Sequence, residues 1–213
     1  MSPFKSKKNL VYEKLKKRII HHSLRPGEPI DESVLTKELK ISKTPIREAF
    51  QQLEQEGFIE NIPGRGCFVS QISIRDIKEL FEIREILECE VIKRAAIKAD
   101  LNKIEAIRRK FESNDRERDK NPRDHFKAGD QVHTLIFEAF GNRRLTEIYK
   151  RLQEHVQRMR LYFFSQVHEE RSVQSYKEHI EILDALVAQD PLRAENAVRN
   201  HLRNSMEFLK KII

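Results

Sequence analysis

Residues 41–50 read Ile-Ser-Lys-Thr-Pro-Ile-Arg-Glu-Ala-Phe, which is the pattern of a short amphipathic helix with a marked N-terminal signal. Ser42 and Thr44 are suitable N-cap residues, because a side-chain oxygen can accept from the unpaired amides of a first turn. Pro45 falls within that turn, where its missing N–H removes no helical bond. Apolar residues follow at helical spacing and predict one buried stripe: Ile46, Ala49, Phe50 and Leu53.

The outer side of this predicted helix is polar and cationic. Lys43, Arg47 and Gln51 all lie off the buried stripe. Such a face suits the major groove of DNA, where Arg and Lys donate to guanine. Phosphate oxygens can also accept from the free amides of a helix N-terminus. The pattern therefore predicts a DNA-recognition helix.

The residues before this helix predict a partner helix. Asp31 is placed to cap a short segment that contains Val34, Leu35 and Leu39. Lys40 and Ile41 leave only a tight connection to the recognition helix. Two helices joined in this way are typical of a helix-turn-helix.

The residues after the helix predict a β-hairpin. Gly57 has the position of a C′ glycine, and strand-like runs follow over 58–62 and 67–71. Between them lies Pro63-Gly64-Arg65-Gly66, a glycine-rich tip with one arginine. A hairpin after a helix-turn-helix is a wing, and Arg65 is positioned to enter a minor groove.

Together these motifs resemble the N-terminal signature of the GntR family of bacterial transcription regulators. The resemblance covers the first 70 residues almost continuously, and the remainder resembles the all-helical ligand-binding domain, called FCD, of the FadR-type branch. The matching residues are Val11-Tyr12, Leu24-Arg25-Pro26-Gly27-Glu28, Ser42-Lys-Thr-Pro-Ile-Arg47-Glu-Ala, Leu53, Glu56-Gly57 and Gly64-Arg-Gly66.

The resemblance implies which residues contact DNA. Lys43 stands where the family usually has an arginine, and lysine presents a point charge rather than a planar fork. The predicted DNA-binding residues, including the helix cap, are Ser33, Ser42, Lys43, Thr44, Arg47, Arg65 and Gly66.

Composition agrees with a DNA-binding protein of two domains. The chain has 213 residues and a formal net charge of +7, and residues 1–70 hold 13 Lys and Arg against 9 Asp and Glu. Positive charge is therefore denser in the N-terminal third, as a phosphate-facing module requires. We expect a winged helix-turn-helix domain over 1–72 and an all-helical effector-binding and dimerisation domain over 73–213.

The cellular compartment is predicted from cysteine content and from the lack of targeting or membrane-spanning patterns. Two cysteines do not make a disulfide framework, no secretory signal opens the sequence, and no apolar run approaches the roughly 18 residues that a membrane span needs. A cytoplasmic protein with reduced thiols and no membrane partner is expected.

The second domain is predicted to be an all-α bundle of six or seven helices, so the fold class is mainly α with a small β wing. Turn signals separate the helical patterns at Asn121-Pro122, Gly141-Asn142 and Asp190-Pro191. Six patterns are found, over about 74–99, 102–118, 122–140, 143–166, 172–189 and 190–211.

Two charged residues lie on the apolar stripe of the first of these helices. Arg84 and Glu88 are one turn apart at its centre. Buried charges are rare unless they are paired or bound to a ligand. One interpretation is a structural ion pair. The other, which the family resemblance favours, is an effector site where arginine holds a carboxylate, with Arg160 as a further candidate.

Three histidines repeat this anomaly on three other helices. His133, His179 and His201 each lie among apolar residues on an inward face. Each alone is most often a satisfied core residue, but three on separate inward faces indicate a common site. Asp130 precedes His133 by one turn, and an Asp with three His suits Zn, Ni, Mn or Fe.

The resemblance implies the same ligand set with one departure. In metal-binding FCD members the histidines match His133, His179 and His201, and an Asp usually stands four residues before the first. Here Gly129 occupies that position, and Asp130 is three residues before.

We therefore predict a homodimeric transcription regulator, most simply a repressor, that binds a pseudo-palindromic operator and responds to a small carboxylate. No convincing nucleophile, phosphate-cradling loop or cofactor fingerprint is found, so an enzyme is not predicted. Two alternatives stay open. One is a metalloenzyme built on the three histidines, and the other is an architectural DNA-binding protein without an effector, which would need no polar cavity.

Overall fold

The computed structural model describes residues 6–98, 100–115, 122–163 and 169–212. Within these ranges the chain is mainly helical with one small antiparallel sheet, which confirms the predicted fold class. The chain divides into two compact units, Met1–Ser73 with Gln157–Tyr162, and Ile74–Val156 with Phe163–Ile213.

The N-terminal unit is a winged helix-turn-helix. Its strands are all antiparallel and lie in the order β1-β3-β2, with Phe68 of β3 paired to both Pro29 and Glu60. The strand β1 is not predicted by the sequence analysis, because two residues cannot display an alternating pattern. The elements are α1 (Lys7–Ile20), β1 (Pro29–Ile30), α2 (Glu32–Leu39), α3 (Lys43–Gln55), β2 (Ile59–Ile62) and β3 (Gly66–Val69).

Helix caps fix how α2 and α3 meet. The Asp31 carboxylate accepts from the amide of Ser33, so it caps α2 as predicted. Lys40 then adopts the left-handed conformation, with φ 53°, and this one residue redirects the chain. Gly57 ends α3 with φ 77°, as expected of a C′ glycine. Ser42 occupies the N-cap position of α3, but its side chain accepts no amide, so that predicted bond is absent.

A buried polar network joins α1 to the end of α3. The Lys16 ammonium lies 2.7 Å from the Glu56 carboxylate and 2.6 Å from the Tyr12 hydroxyl. It also lies 5.0 Å from the centroid of the Phe58 ring. Because each partner compensates the buried charge, the network holds the recognition helix α3 in one orientation on α1.

The second unit is all-helical in the residues described. Its first helix, α4, packs against α6 and α9, and α8 packs against α5, α6 and α9. The predicted ends at 116–118 and 164–166 lie outside the described residues. The helices are α4 (Ile74–Lys98), α5 (Leu101–Asp115), α6 (Pro122–Phe140), α7 (Arg143–Phe163), α8 (Glu169–Val187) and α9 (Pro191–Ile212).

Candidate functional site

Helix α3 exposes its polar side and buries its apolar stripe. The stripe Ile46, Ala49, Phe50 and Leu53 is at most 8% exposed. All seven residues predicted to bind DNA are exposed: Ser33, Ser42, Lys43, Thr44, Arg47, Arg65 and Gly66. The packing of α3 against the core thus leaves a cationic helix face toward solvent.

Arg47 on this face is paired with a glutamate on α2. Its Nε lies 3.0 Å and 3.1 Å from the two Glu32 carboxylate oxygens, and this bond raises the pKa of Arg47. The Arg47 side chain is still 63% exposed. These contacts use Nε, so the two terminal nitrogens, which form the fork that fits guanine, take no part in them.

The wing presents Arg65 between two glycines. Gly64 and Gly66 both have positive φ, 73° and 99°, a region that glycine adopts readily. A β-carbon on either would meet nothing within 4 Å, so backbone conformation rather than space requires glycine here. The Arg65 guanidinium lies 5.7 Å from the centroid of the Phe68 ring, at the edge of the hairpin.

The second unit brings the three predicted histidines together in its core. His133 on α6 lies with its Nε2 atom 3.3 Å from Nε2 of His179 on α8 and 3.3 Å from Nε2 of His201 on α9. All three side chains are buried, at most 5% exposed. One nitrogen from each helix therefore points to a common centre, with ligand atoms within 4.8 Å of one another.

Each of these histidines has an oxygen atom close to its other ring nitrogen, which is a hydrogen-bond acceptor for His179 and His201 and an ion-pair contact for His133. Such outer partners orient metal-binding histidines in many proteins, because they fix the ring and the tautomer. The contacts are His133 Nδ1 to Glu88 Oε2 at 2.7 Å, His201 Nδ1 to Glu178 Oε2 at 2.8 Å, and His179 Nδ1 to the Ser175 carbonyl at 2.6 Å.

The two carboxylate acceptors are ionised. Burial raises the pKa of Glu178, but its histidine and arginine partners outweigh burial and lower the pKa to about 2. Burial likewise raises the pKa of Glu88, and Arg84 together with His133 outweighs it and brings the pKa well below its ordinary value. An ionised carboxylate can accept hydrogen bonds but cannot donate them, and the same is true of the Ser175 carbonyl.

The outer acceptors indicate the tautomers of two of these histidines. Burial lowers the pKa of His201 to about 3. Hydrogen at the outer Nδ1 of His201 and His179 satisfies their oxygen acceptors and leaves a lone pair on Nε2. The arrangement brings three imidazole nitrogens to one point, and such a set can hold a divalent transition-metal ion.

Arg84 and Glu88 form the buried ion pair that one interpretation of the sequence predicts. Arg84 Nε lies 2.6 Å from Glu88 Oε1, and the Tyr149 hydroxyl donates to the same oxygen at 2.8 Å. The Arg84 Nη2 atom lies 3.4 Å from His133 Nε2. The guanidinium is therefore paired and also faces the histidine centre, so the two interpretations are compatible.

Two other predicted site residues do not belong to the converging group. Asp130 is half-buried on α6, and its carboxylate is not one of the three converging ligand atoms, but its charge acts on the buried Arg84 guanidinium and on Tyr149. Arg160 lies in the 157–162 segment, which is compact with the N-terminal unit. Tyr149, which contacts Glu88, lies on the same helix α7, eleven residues before Arg160. That is roughly 16 Å along the helix axis, so an inward-facing side chain at position 160 is not thereby close to the histidines.

The sequence analysis does not identify the outer partners. Glu178 directly precedes His179, so helical periodicity turns the two side chains about 100° apart and places Glu178 off the histidine face. Arg171 donates to Glu178 at 2.9 Å. Residues seven apart lie about two helical turns apart on the same face, and this spacing is a signal that could have indicated the pair.

Comparison with known families assigns both units. Residues 7–69 match the family model described as bacterial regulatory proteins, gntR family, and residues 79–204 match the FCD domain. The chain belongs to the GntR family. Its FCD domain, the larger of the two matches, is the FadR-type arrangement that the sequence resembles.

Curated relatives of this GntR protein are similar along nearly their whole length. It is 27% identical over 214 residues to the HTH-type transcriptional repressor RspR of Escherichia coli (strain K12), covering 100% of this chain and 92% of that one. It is 27% identical over 215 residues to the HTH-type transcriptional regulator LutR of Bacillus subtilis (strain 168), covering 87% of this chain and 93% of that one.

Solved structures share the fold of this GntR protein. Escherichia coli McbR/YncC superposes with a TM-score of 0.78 at 18% identity, covering 98% of this chain and 99% of the other. A transcriptional regulator GntR from Rhodococcus sp. RHA1 superposes with a TM-score of 0.79 at 20% identity, covering 98% of this chain and 100% of the other.

These matches make the protein a transcription regulator and not an enzyme. The histidine centre is therefore part of a regulator. Along the described residues, no helix combines the length and apolar character that crossing a membrane requires.

Proposed function

We propose that this GntR regulator binds a pseudo-palindromic operator as a homodimer, acts as a repressor, and responds to a small carboxylate held at a metal ion in its FCD domain. The observation that supports effector control most strongly is the convergence of three histidine nitrogens beside the Arg84 guanidinium. A DNA-binding protein without an effector has no use for such a buried polar centre.

DNA contact is assigned to α3 and the wing. Lys43, Thr44 and Arg47 lie on the exposed start of α3, where they would enter a major groove, and Ser33 and Ser42 flank them for phosphate contact. Arg65, with Gly66, would enter the neighbouring minor groove. Two such heads in a dimer would bind half-sites related by two-fold symmetry.

The histidine centre is assigned to Zn, Ni, Mn or Fe. His133, His179 and His201 would hold the ion, and their outer oxygen partners keep the three rings in the required orientation. When bound, the ion supplies coordination positions for oxygen ligands. Arg84 would hold a second carboxylate oxygen, while Glu88 fixes the direction of its guanidinium.

Repression is proposed because the relative RspR is described as a repressor. The effector would change operator affinity only to the extent that it binds one arrangement of the two DNA-binding heads more tightly than another. A dimer is proposed because a palindromic operator requires two recognition helices.

The test for DNA is selection of binding sites from a random duplex library by the full-length protein. Enrichment of a two-fold symmetric motif is expected. Recovery without sequence preference would instead favour the architectural alternative.

The test for the metal is elemental analysis of protein purified without chelators. About one transition-metal ion per chain is expected. His179→Ala should lower this content while effector-free DNA binding stays unchanged, and an unchanged metal content would remove His179 from the site.

A further inference from the structure

The N-terminal unit includes a short segment from much later in the chain. Residues Gln157–Tyr162 are compact with Met1–Ser73, although they lie inside the FCD match over 79–204. They belong to α7, which is one helix over Arg143–Phe163. The DNA-binding unit is therefore completed by fewer than two turns of a helix whose first part belongs to the second unit.

This segment is buried in the N-terminal unit. Met159 is 2% exposed, and Leu161 packs against the apolar core of the winged helix-turn-helix. Arg158 between them is only 4% exposed. An arginine is seldom buried to this extent unless its guanidinium is bonded, because an isolated buried charge is strongly unfavourable. What Arg158 binds therefore indicates why the segment is there.

The Arg158 side chain bonds to the base of the wing. Its Nη2 atom donates to the carbonyl oxygen of Ser70, the residue directly after β3. The Ser70 amide in turn donates to the carbonyl oxygen of Phe58, directly before β2, at 3.1 Å. The guanidinium is therefore attached where the two strands of the hairpin join the core.

The Arg158 backbone bonds to the end of α1. His22, which follows that helix, has its Nε2 atom 2.8 Å from the Arg158 carbonyl oxygen. A carbonyl can only accept, so Nε2 carries the hydrogen. Burial lowers the pKa of His22, which favours the neutral ring. The His22 centroid also lies 5.3 Å from that of the Tyr162 ring. Position 158 thus ties the base of the wing to α1, the helix against which α3 is held.

The length of the wing makes its base important for DNA binding. Arg65 at the tip lies five residues before Ser70, or about 17 Å along an extended strand. A tilt of about 10° at the base would therefore move the tip by roughly 3 Å. Such a displacement is as large as a hydrogen-bond distance, so it would break a contact in the minor groove.

We infer that Arg158 is a positioning residue for DNA binding, whose bond to Ser70 fixes the wing relative to α3 so that Arg65 and α3 can contact one operator together. The inference rests on the DNA contacts of the proposed function. Because Arg158 is buried, it acts through the wing and not by touching DNA. Operator affinity therefore depends on the end of α7 as well as on the residues that face the duplex.

The experiment measures operator affinity of the full-length protein and its variants. Arg158→Met keeps much of the aliphatic stem and removes the guanidinium, and it is expected to weaken operator binding about tenfold. Arg158→Lys retains one donor for the Ser70 carbonyl and should lose less, about threefold. Arg151→Met removes an exposed arginine from the same helix, so it controls for net charge and should bind as the native chain does.

A double-mutant cycle with Arg65→Ala separates positioning of the wing from a general structural role. In the Arg65→Ala chain, Arg158→Met is expected to cost about twofold or less, because a wing without its arginine no longer depends on exact placement. A side chain that only stabilises the N-terminal unit would instead cause the same tenfold loss in both backgrounds.

Three results would overturn the inference while operator binding itself stands. They are additive losses in the cycle, native-like binding by Arg158→Met, and an equal loss in Arg151→Met. If Arg158→Met fails to fold by circular dichroism, Arg158→Lys replaces it in the same cycle, where additive losses would again be decisive. A native protein that binds DNA without sequence preference would overturn the proposed operator function, and this inference with it.

Discussion

Two Arg–Glu pairs, one in each unit, have similar chemistry and opposite surroundings. Arg47 and Glu32 meet at 3.0 Å with side chains that are 63% and 30% exposed. Arg84 and Glu88 meet at 2.6 Å with side chains that are 2% and 0% exposed. In water such a pair contributes little and is readily exchanged. Inside the core, removal of one partner leaves a bare charge.

The difference separates a contact that can be replaced from one that cannot. DNA can take the place of Glu32 around Arg47, because solvent already shares that guanidinium. Arg84 cannot leave Glu88 without a large penalty, so it stays fixed and can serve as a template for a ligand. Exposed pairs thus suit a surface that binds and releases, and buried pairs suit a preorganised site.

The largest expected effect is on folding. Glu88→Gln should lower the free energy of unfolding by about 3–5 kcal/mol, because it leaves the buried Arg84 charge uncompensated. Chemical denaturation followed by circular dichroism measures this. Glu90→Gln, which removes an exposed partner of Arg94 on the same helix, is the matched control and should change stability little. Equal effects in the two variants would contradict the comparison.

The second-largest expected effect is on thermal stability, through loading of the proposed metal site. At a free metal concentration a hundredfold above the dissociation constant, binding stabilises the folded chain by about 2.7 kcal/mol. Chelation should therefore lower the melting temperature of the loaded protein. The same treatment should leave His201→Ala unchanged, and a similar shift in that variant would place the ion elsewhere.

Loss of the arginine on α3 should affect DNA and not stability. Arg47→Ala should weaken operator binding about tenfold to a hundredfold per half-site, the range for one bidentate guanine contact. Binding curves on the selected site measure this. Metal content should not change. Arg75→Ala, which removes an exposed arginine of α4, is the control, and comparable losses in both would indicate only a general charge effect.

The smallest effect is expected at the glutamate of the exposed pair. Glu32→Gln should leave thermal stability unchanged and should strengthen binding to unrelated DNA a few-fold, because it removes a negative charge near phosphates. Operator affinity should rise by a similar factor, because the phosphates of any duplex respond to the removed charge. Measurement of both affinities over a salt series checks this, and a large drop in stability would show that the exposed pair behaves like the buried one.

Helical periodicity was sufficient to predict much of the candidate site. It predicted that His133, His179 and His201 face inward on three helices, and the structure brings these residues together. A period describes direction around one helix, however, and not distance along it or the reach of a side chain. Arg160 illustrates the first limit. Asp130 illustrates the second, because its charge acts on Arg84 although its carboxylate is not one of the converging ligand atoms.

Other features lie beyond any single-helix pattern. Glu178 meets His201 only because α8 and α9 pack together, and the short strand β1 exists only because β3 pairs with it. The wing and recognition helix were more predictable, since caps, glycines and a proline act locally. What could not be predicted is the tertiary pairing that decides which polar groups share one centre.

The pairing of both outer carboxylates with arginines has a consequence for how the protein matures. Glu88 and Glu178 are each neutralised by a guanidinium of the same unit, so the interior needs no cation to reach charge balance. This differs from small zinc domains, where apo chains stay unfolded. At the metal site proposed above, newly made chains would therefore fold first and acquire the ion afterwards. The fraction of regulator that carries the proposed ion would then follow the metal supply of the cell at that moment rather than the conditions at synthesis.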